Sequence, residues 1–314
     1  MAQKALNADV RIRRTSLGRA MWKYKVFYAM IAVGVLYFIV FKYATMYGLL
    51  LAFKNFKVRK GIWGSDWVGL KNFATVFAGR DFWNVFTNTL EISLWKLILG
   101  FPAPIILALL LNELRFKRFK NISQSLLYLP HFISWTILGG IFFGLFSSTS
   151  GAIPRLILKT TGNQMPSLIT DPNYIRGFLY LTNIWRGVGW STIIYMAAIT
   201  GIDGQLYEAA FIDGATRFQQ VFYVTLPAIM PTIVTLLVLD VGGIMHAGFD
   251  QIFNLQTELT RAKIDVIDTY VYRVGLQNGK YEYATVFGIT KSVINCVLLF
   301  LANWVAGRIG ESPL

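Results

Sequence analysis

Asp203-Gly-Gln-Leu-Tyr-Glu208-Ala-Ala-Phe-Ile-Asp213-Gly214-Ala-Thr216-Arg-Phe-Gln-Gln-Val-Phe-Tyr-Val-Thr-Leu-Pro227 is a polar interval between two long apolar runs. Tyr207, Ala210, Phe211, Phe218 and Phe222 recur in it at helical spacing, and Asp213-Gly214 breaks the pattern in the middle. The interval therefore reads as two short amphipathic helices joined by a turn. Asp203 suits the N-cap of the first helix, and Thr216 with Gln219 three residues on is a capping box for the second. Pro227 is expected to close that second helix and lead into the next apolar run. An apolar stripe on such a pair needs a surface to bury it, either a cytoplasmic partner or the protein's own spans.

Working outward, the flanking runs 174–200 and 228–249 are two of six apolar segments; the others are 26–53, 82–111, 123–146 and 284–306. Each approaches the roughly 20 residues that a hydrocarbon layer of about 30 Å requires. Of the 314 residues 55% are hydrophobic and 15% charged, and the mean hydropathy is +0.50, too apolar for a soluble globular domain. The expected class is an all-α integral membrane protein with six transmembrane helices. Gly100, Pro102 and Pro104 predict a bend in the second span, and Pro130 a kink in the third.

Six crossings put both termini on one side. The tail before the first span carries Arg11, Arg13, Arg14, Arg19, Lys23 and Lys25, and the short loop after the second carries Arg115, Lys117, Arg118 and Lys120. Both point to the cytoplasm, although Lys54, Lys57, Arg59, Lys60 and Lys71 then fall outside. The segment 61–67 within that basic loop reads as turns and an interfacial stretch. The chain thus divides into a basic cytoplasmic tail (1–25), a first helix with its extracytoplasmic interfacial loop (26–81), a transmembrane core with the cytoplasmic interval 203–227 (82–308), and a C-terminal tail (309–314).

The net charge of +14 has its cause at the membrane surface and not in nucleic acid, since no basic helix with interleaved aromatics lies outside the apolar segments. One cysteine, Cys296, excludes an internal disulfide and a cysteine-based metal cluster, and is expected to be a small buried hydrophobe. Gly275 to Tyr281 resembles a phosphate-binding loop but has one residue too few between its glycines and no Ser or Thr after Lys280. It reads as a turn in an outer loop. His131 and His246 lie in different spans and read as packed or pathway-lining groups, so no metal, cofactor or catalytic residue is assigned.

Glu208-Ala209-Ala210, then Gly214, Val224, Leu226 and Pro227 resemble the loop signature of permease subunits in binding-protein-dependent ABC importers. The one departure is Val224, where the signature has Ile. Tyr128 to Trp135, Asp265 to Tyr272 and Tyr281 to Thr285 are similar to the branch that imports oligosaccharides, including uronic-acid-containing ones. The resemblance implies the type I importer permease fold, a bacterial cytoplasmic (inner) membrane location, and an oligosaccharide delivered by a solute-binding protein. It further implies a second homologous permease (a heterodimer) and two cytoplasmic ATPase subunits that use ATP and Mg. In such an assembly the interval is the coupling helix: Glu208 contacts polar groups of the ATPase, Ala209 and Ala210 permit close approach, and Gly214 makes the turn. A self-sufficient secondary transporter and an integral-membrane transferase are the alternatives; the first needs inverted repeats with broken helices, the second a polar cluster at a membrane face.

Charges at mid-span are costly and therefore candidates for function. They are Lys96, Arg186, Asp240 and Lys291. Asn183, Arg186 and Trp190 are spaced to share one face of the fourth span and to hold a sugar ring, and Asp240, Gly243, Ile244 and Ala247 one face of the fifth. Arg186 and Asp240 alternatively pair with each other.

Overall fold

The computed structural model describes residues 22–147 and 151–308, which are mostly helical. Most of the basic tail 1–25 and the whole C-terminal tail 309–314 lie outside the described residues. The chain divides into two compact units, Met1–Leu50 and Leu51–Leu314.

In the first unit, a largely apolar run interrupted by Lys42 forms α1 (Lys25–Phe38) and a widened π turn (Ile39–Tyr43); the 3-10 stretch Ala44–Phe53 begins in this unit and ends in the second. In the second unit, two short strands, β1 (Lys54–Asn55) and β2 (Asp66–Trp67), pair antiparallel with Lys54 opposite Trp67. The interfacial loop thereby folds back on itself, and Lys54 Nζ donates to Ile62 O at 2.7 Å.

After α2 (Lys71–Ala78), α3 (Arg80–Gly100) and α4 (Pro102–Asn112) together make one 33-residue stretch apolar enough to cross a membrane. The expected bend is no break: Pro102 begins a helical turn, where its missing N–H costs little, and Phe101 keeps helical dihedrals at φ −67° and ψ −44°.

The third apolar segment departs further from expectation. α5 (Lys117–Tyr128) ends in a 3-10 turn at Leu129–Phe132, and α6 (Trp135–Phe146) starts at an angle of 96° to it. Pro130 stands within the turn, Ile133 goes extended, and Ser134 caps the new helix by accepting from Ile137 N at 3.3 Å. A fresh N-cap makes this a corner, not the kink that proline alone produces.

α7 (Ala152–Thr161) and the long α8 (Ile175–Thr200) follow. The interval after α8 folds as α9 (Gly204–Ile212) and α10 (Arg217–Gln220). α11 (Met230–Gly242) is next, then α12 (Phe249–Leu255), α13 (Ile267–Val271) and α14 (Tyr281–Arg308). The fifth apolar run therefore ends as helix at Gly242, seven residues early, and 243–248 is irregular. Among the described residues, three helical stretches are long and apolar enough to cross a membrane, and up to five if each bent pair is one span.

Three apolar clusters hold the second unit together. Ile92, Phe178, Ile252 and Leu255 centre one; Phe82, Met245, Ile267 and Phe287 a second; Ala108, Leu111, Tyr195 and Ile229 a third. The segment 250–271, which follows the fifth apolar run, supplies core to the first two. It is tied down by Asn88, whose amide donates to Ala262 O and Asp265 O at 3.1 Å while its oxygen accepts from Arg176 at 2.7 Å. Cys296 corrects another expectation: it is exposed, on a face of α14 shared with Val293, Val297 and Phe300, where apolar groups face out of this chain.

Candidate functional site

The interval 203–227 is built as its caps dictate. Asp203 Oδ1 accepts from Gln205 N at 3.0 Å, and Thr216 and Gln219 exchange both capping-box bonds. Gly214 sits at φ +79°, a conformation that side chains resist and glycine takes freely. A Cβ at Gly214 would meet no atom within 4 Å, so the turn is demanded by the backbone and not by crowding. Pro227 does not close the second helix. The chain widens into a π turn over Val221–Thr225 and runs helically through Leu226–Ala228, so the donor that proline lacks falls beside a turn already out of α register. The true break is at Ile229, followed by a 59° bend into α11.

Within the interval Tyr207 and Thr225 share a hydroxyl hydrogen bond of 2.8 Å, and Arg217 ties it to the body by pairing with Glu113 just past α4 at 3.2 Å. Of the expected apolar stripe, Tyr207 and Ala210 are half-buried while Phe211 and Phe218 are more than 70% exposed and Phe222 is exposed; Ile212 and Tyr223, outside that stripe, are also more than 70% exposed. Glu208 and Ala209 lie exposed beside it, Ala210 and Leu226 are half-buried, and Pro227 is exposed.

A second feature is a polar groove along α3, α8 and α11. One cavity of about 300 Å³ is lined by Lys96, Asn183, Ser191, Tyr195 and Asp240. Another, of about 310 Å³, shares Lys96, Asn183 and Asp240 and continues past Ile244 to His246. Of the five pathway candidates, Asn183, Asp240 and Ile244 therefore come together.

Arg186 and Trp190 do not. They face the corner between α5 and α6, where Arg186 donates to His131 O and Ile133 O at 3.0 Å each and stacks over Trp135 at 5.0 Å. The Trp190 ring lies parallel to His131 at 4.7 Å. A helix turns 100° per residue, so Asn183 and Arg186 are 60° apart, enough to fall on either side of this seam. No ion pair joins Arg186 to Asp240 among the described residues.

Lys96 is the cation on the groove. Its ammonium donates to Ala247 O at 2.8 Å and to Gln251 Oε1, and Gln251 in turn donates to Leu179 O and Thr182 Oγ1. Lys291 is held by Asp268 and by His246 Nδ1, the latter at 2.9 Å. With Asn295 accepting from Met245 N at 3.1 Å, these groups anchor the irregular stretch 243–248. That satisfies polar backbone which hydrocarbon would leave stranded. The sequence reading missed Ser191 and Tyr195 as lining. Asn183, Gly187, Ser191 and Tyr195 recur every four residues, a signal that was there to be read.

Outside the groove, Asp265 forms a bidentate pair with Arg273 and holds that guanidinium above its usual range.

Residues 100–311 match the family model described as the binding-protein-dependent transport system inner membrane component. The chain is 41% identical over 295 residues to Protein LplB of Bacillus subtilis (strain 168), covering 94% of this chain and 92% of that protein. It is 43% identical over 290 residues to the polygalacturonan/rhamnogalacturonan transport system permease protein YteP of the same organism, covering 92% and 90%. Among solved structures, a chain of a bacterial alginate ABC transporter, in complex with alginate pentasaccharide-bound periplasmic protein, superposes with a TM-score of 0.87. That chain is 36% identical, with 96% of this chain and 100% of the other covered.

Proposed function

The chain belongs to the binding-protein-dependent transport system inner membrane components, and from that premise we propose that it lines half of the path by which a membrane-embedded pair of permeases imports an acidic oligosaccharide. It is the permease subunit of an ABC sugar importer, and ATP hydrolysis resides in separate subunits. The finer reading adds a homologous second permease, two cytoplasmic ATPases and an extracytoplasmic solute-binding protein. The ATPases supply ATP and Mg chemistry that no residue here is assigned to.

The observation that carries this reading is the exposed apolar patch Phe211, Ile212, Phe218 and Tyr223 on the capped interval 203–227. Four large exposed apolar groups on a short element call for a protein partner. The Glu208-Ala209-Ala210 signature on α9 makes that partner the ATPase, with Gly214 turning the chain and Leu226 and Pro227 carrying motion into α11. Six crossings with both termini cytoplasmic follow if α8 spans as well. Its 26 residues, at about 1.5 Å each, reach about 39 Å.

The groove is the proposed path. Lys96 spends two of its three donors on Ala247 and Gln251, and the third is available to a uronate carboxylate. Asn183 and Asp240 face it and suit sugar hydroxyls, with Ile244 further along the wall. Polygalacturonan and alginate, named for the relatives above, are polymers of such acids. In this reading Arg186 and Trp190 shape the path by fixing its neighbouring corner and do not touch sugar.

The test is co-purification from native membranes followed by uptake of labelled oligogalacturonide in vesicles. A tagged chain should bring down a P-loop ATPase and a second hydrophobic subunit. Lys96→Met should depress uptake of the acid oligomer more than of its neutral methyl ester. Recovery of the chain without an ATPase, from intact membranes, overturns the reading.

A further inference from the structure

A separate cavity of about 440 Å³ lies between α2, the start of α3, and the segment that leads into α14. It shares no lining residue with the groove. Buried Phe82 and Phe287 wall it on the inside, and half-buried Tyr270 and Tyr283 flank them.

Its charged groups are arranged with some economy. Arg273 is fixed from behind by Asp265 and lies over the Tyr270 ring at 5.3 Å, so it is pre-positioned without being used up, since a guanidinium has five N–H donors. Lys280 projects from a turn set by Gly279 at φ +69° and by the bond from its own N–H to Val274 O at 3.0 Å. Lys280 and Asp81 form no direct salt bridge among the described residues, and Asp81, on the facing side, acts on Arg273 through its field alone. Asn278 and Lys280 belong to the stretch Gly275 to Tyr281 that superficially resembles a phosphate-binding loop, and both line this cavity.

Aromatic faces suit the C–H side of a sugar ring, a carboxylate and an amide suit hydroxyls, and a cation pair suits a carboxylate. The volume lies within the range of small-ligand sites. We infer that this cavity is an outer subsite for one uronate unit of an acidic oligosaccharide, with Lys280 and Arg273 on the carboxylate, Tyr283 under the ring, and Asp81 and Asn278 on hydroxyls. The word outer rests on the topology proposed above, which places the turn 275–281 outside the cell. The ligand chemistry rests on the cavity itself.

The experiment uses the full-length chain in lipid nanodiscs, free of other subunits, with digalacturonate as the probe and saturation-transfer NMR and calorimetry as readouts. Digalacturonate should bind, and Lys280→Gln and Tyr283→Ala should each weaken it about tenfold, the loss of one charge-assisted bond or one stacking face. The neutral methyl ester should bind correspondingly weakly, and Lys159→Gln, which removes an exposed lysine of α7, should change nothing. Unaltered affinity in both pocket variants at unchanged melting temperature overturns the inference, as does competition by acetate at the same concentration as the disaccharide, which marks a plain anion site. A chain that co-purifies with its ATPase but fails this assay loses only the subsite. One that passes it without ever capturing an ATPase loses the importer reading instead.

Discussion

At Gly214 a single hydrogen atom decides the turn. The φ of +79° costs a residue with a Cβ about 1–2 kcal/mol, although the space around it is open. Gly214→Val should therefore express and insert normally yet lose ATPase co-purification and uptake, whereas Gly214→Asn, whose side chain tolerates this region, should keep most of both. Equal loss in the two variants would mean that size at the partner surface matters and the turn does not. Arg186 makes a different argument. Its Nε and one terminal nitrogen reach two carbonyls of one corner, which a single ammonium cannot span in the same geometry. Arg186→Lys should lower stability by about 1.5–3 kcal/mol, read as a fall in melting temperature in detergent, with little change in sugar affinity. Because no ion pair links Arg186 to Asp240, the costs of Arg186→Ala and Asp240→Ala should add to within about 0.5 kcal/mol; recovery in the double variant would restore the pairing hypothesis.

Among the elements, α8 approaches the end of α5 closely at Gly189. A Cβ on Gly189 would stand 2.1 Å from Leu127 O, which no side-chain adjustment relieves, whereas one on Gly187 would meet nothing within 4 Å. Gly189→Ala should push the corner away from α8 and destabilise the chain severely, while Gly187→Ala should be near neutral, a contrast that melting curves of the two variants would settle. This element scale is also where sequence legibility divides. Asp203 as a cap and Thr216 with Gln219 as a box were readable because capping is a matter of four adjacent residues. Pro227 was misread because its effect depends on whether the preceding turn is α or π, and spacing does not reveal that. The packing of 250–271 into the core was not readable at all: Asn88 meets Asp265 across 177 residues, and a polar, broken stretch looks like a loop until its distant partner is known. The same holds for Lys96, which was visible as an unusual charge while Ala247 and Gln251, which hold it, were not. For the groove, the apolar pattern located the helices but left their rotation open by tens of degrees, which is why Asn183 and Arg186 were put together and stand apart.

For the whole molecule, the absence of any phosphate-cradling loop in the sequence predicts that the chain purified alone has no ATPase activity; turnover in a rigorously single-subunit preparation would contradict the division of labour proposed here. The bonds of Lys96 carry a consequence for how such a molecule is made. Ala247 O and Gln251 Oε1 lie 151 and 155 residues further along the chain. At roughly 5–20 residues per second, the ribosome takes roughly 8–30 s to deliver them. Throughout that interval the second span sits in or beside the insertion channel with an unsatisfied ammonium near its middle, a charge worth about 2.5–3.5 kcal/mol against insertion. A nascent chain would thus be marked as unfinished by its own lysine until Ala247 and Gln251 arrive. Chains truncated before Ala247 should be degraded quickly in a pulse-chase, and Lys96→Met should prolong their life while leaving the full-length protein's turnover unimproved: the residue proposed to line the finished path would act, during synthesis, as a timer for quality control.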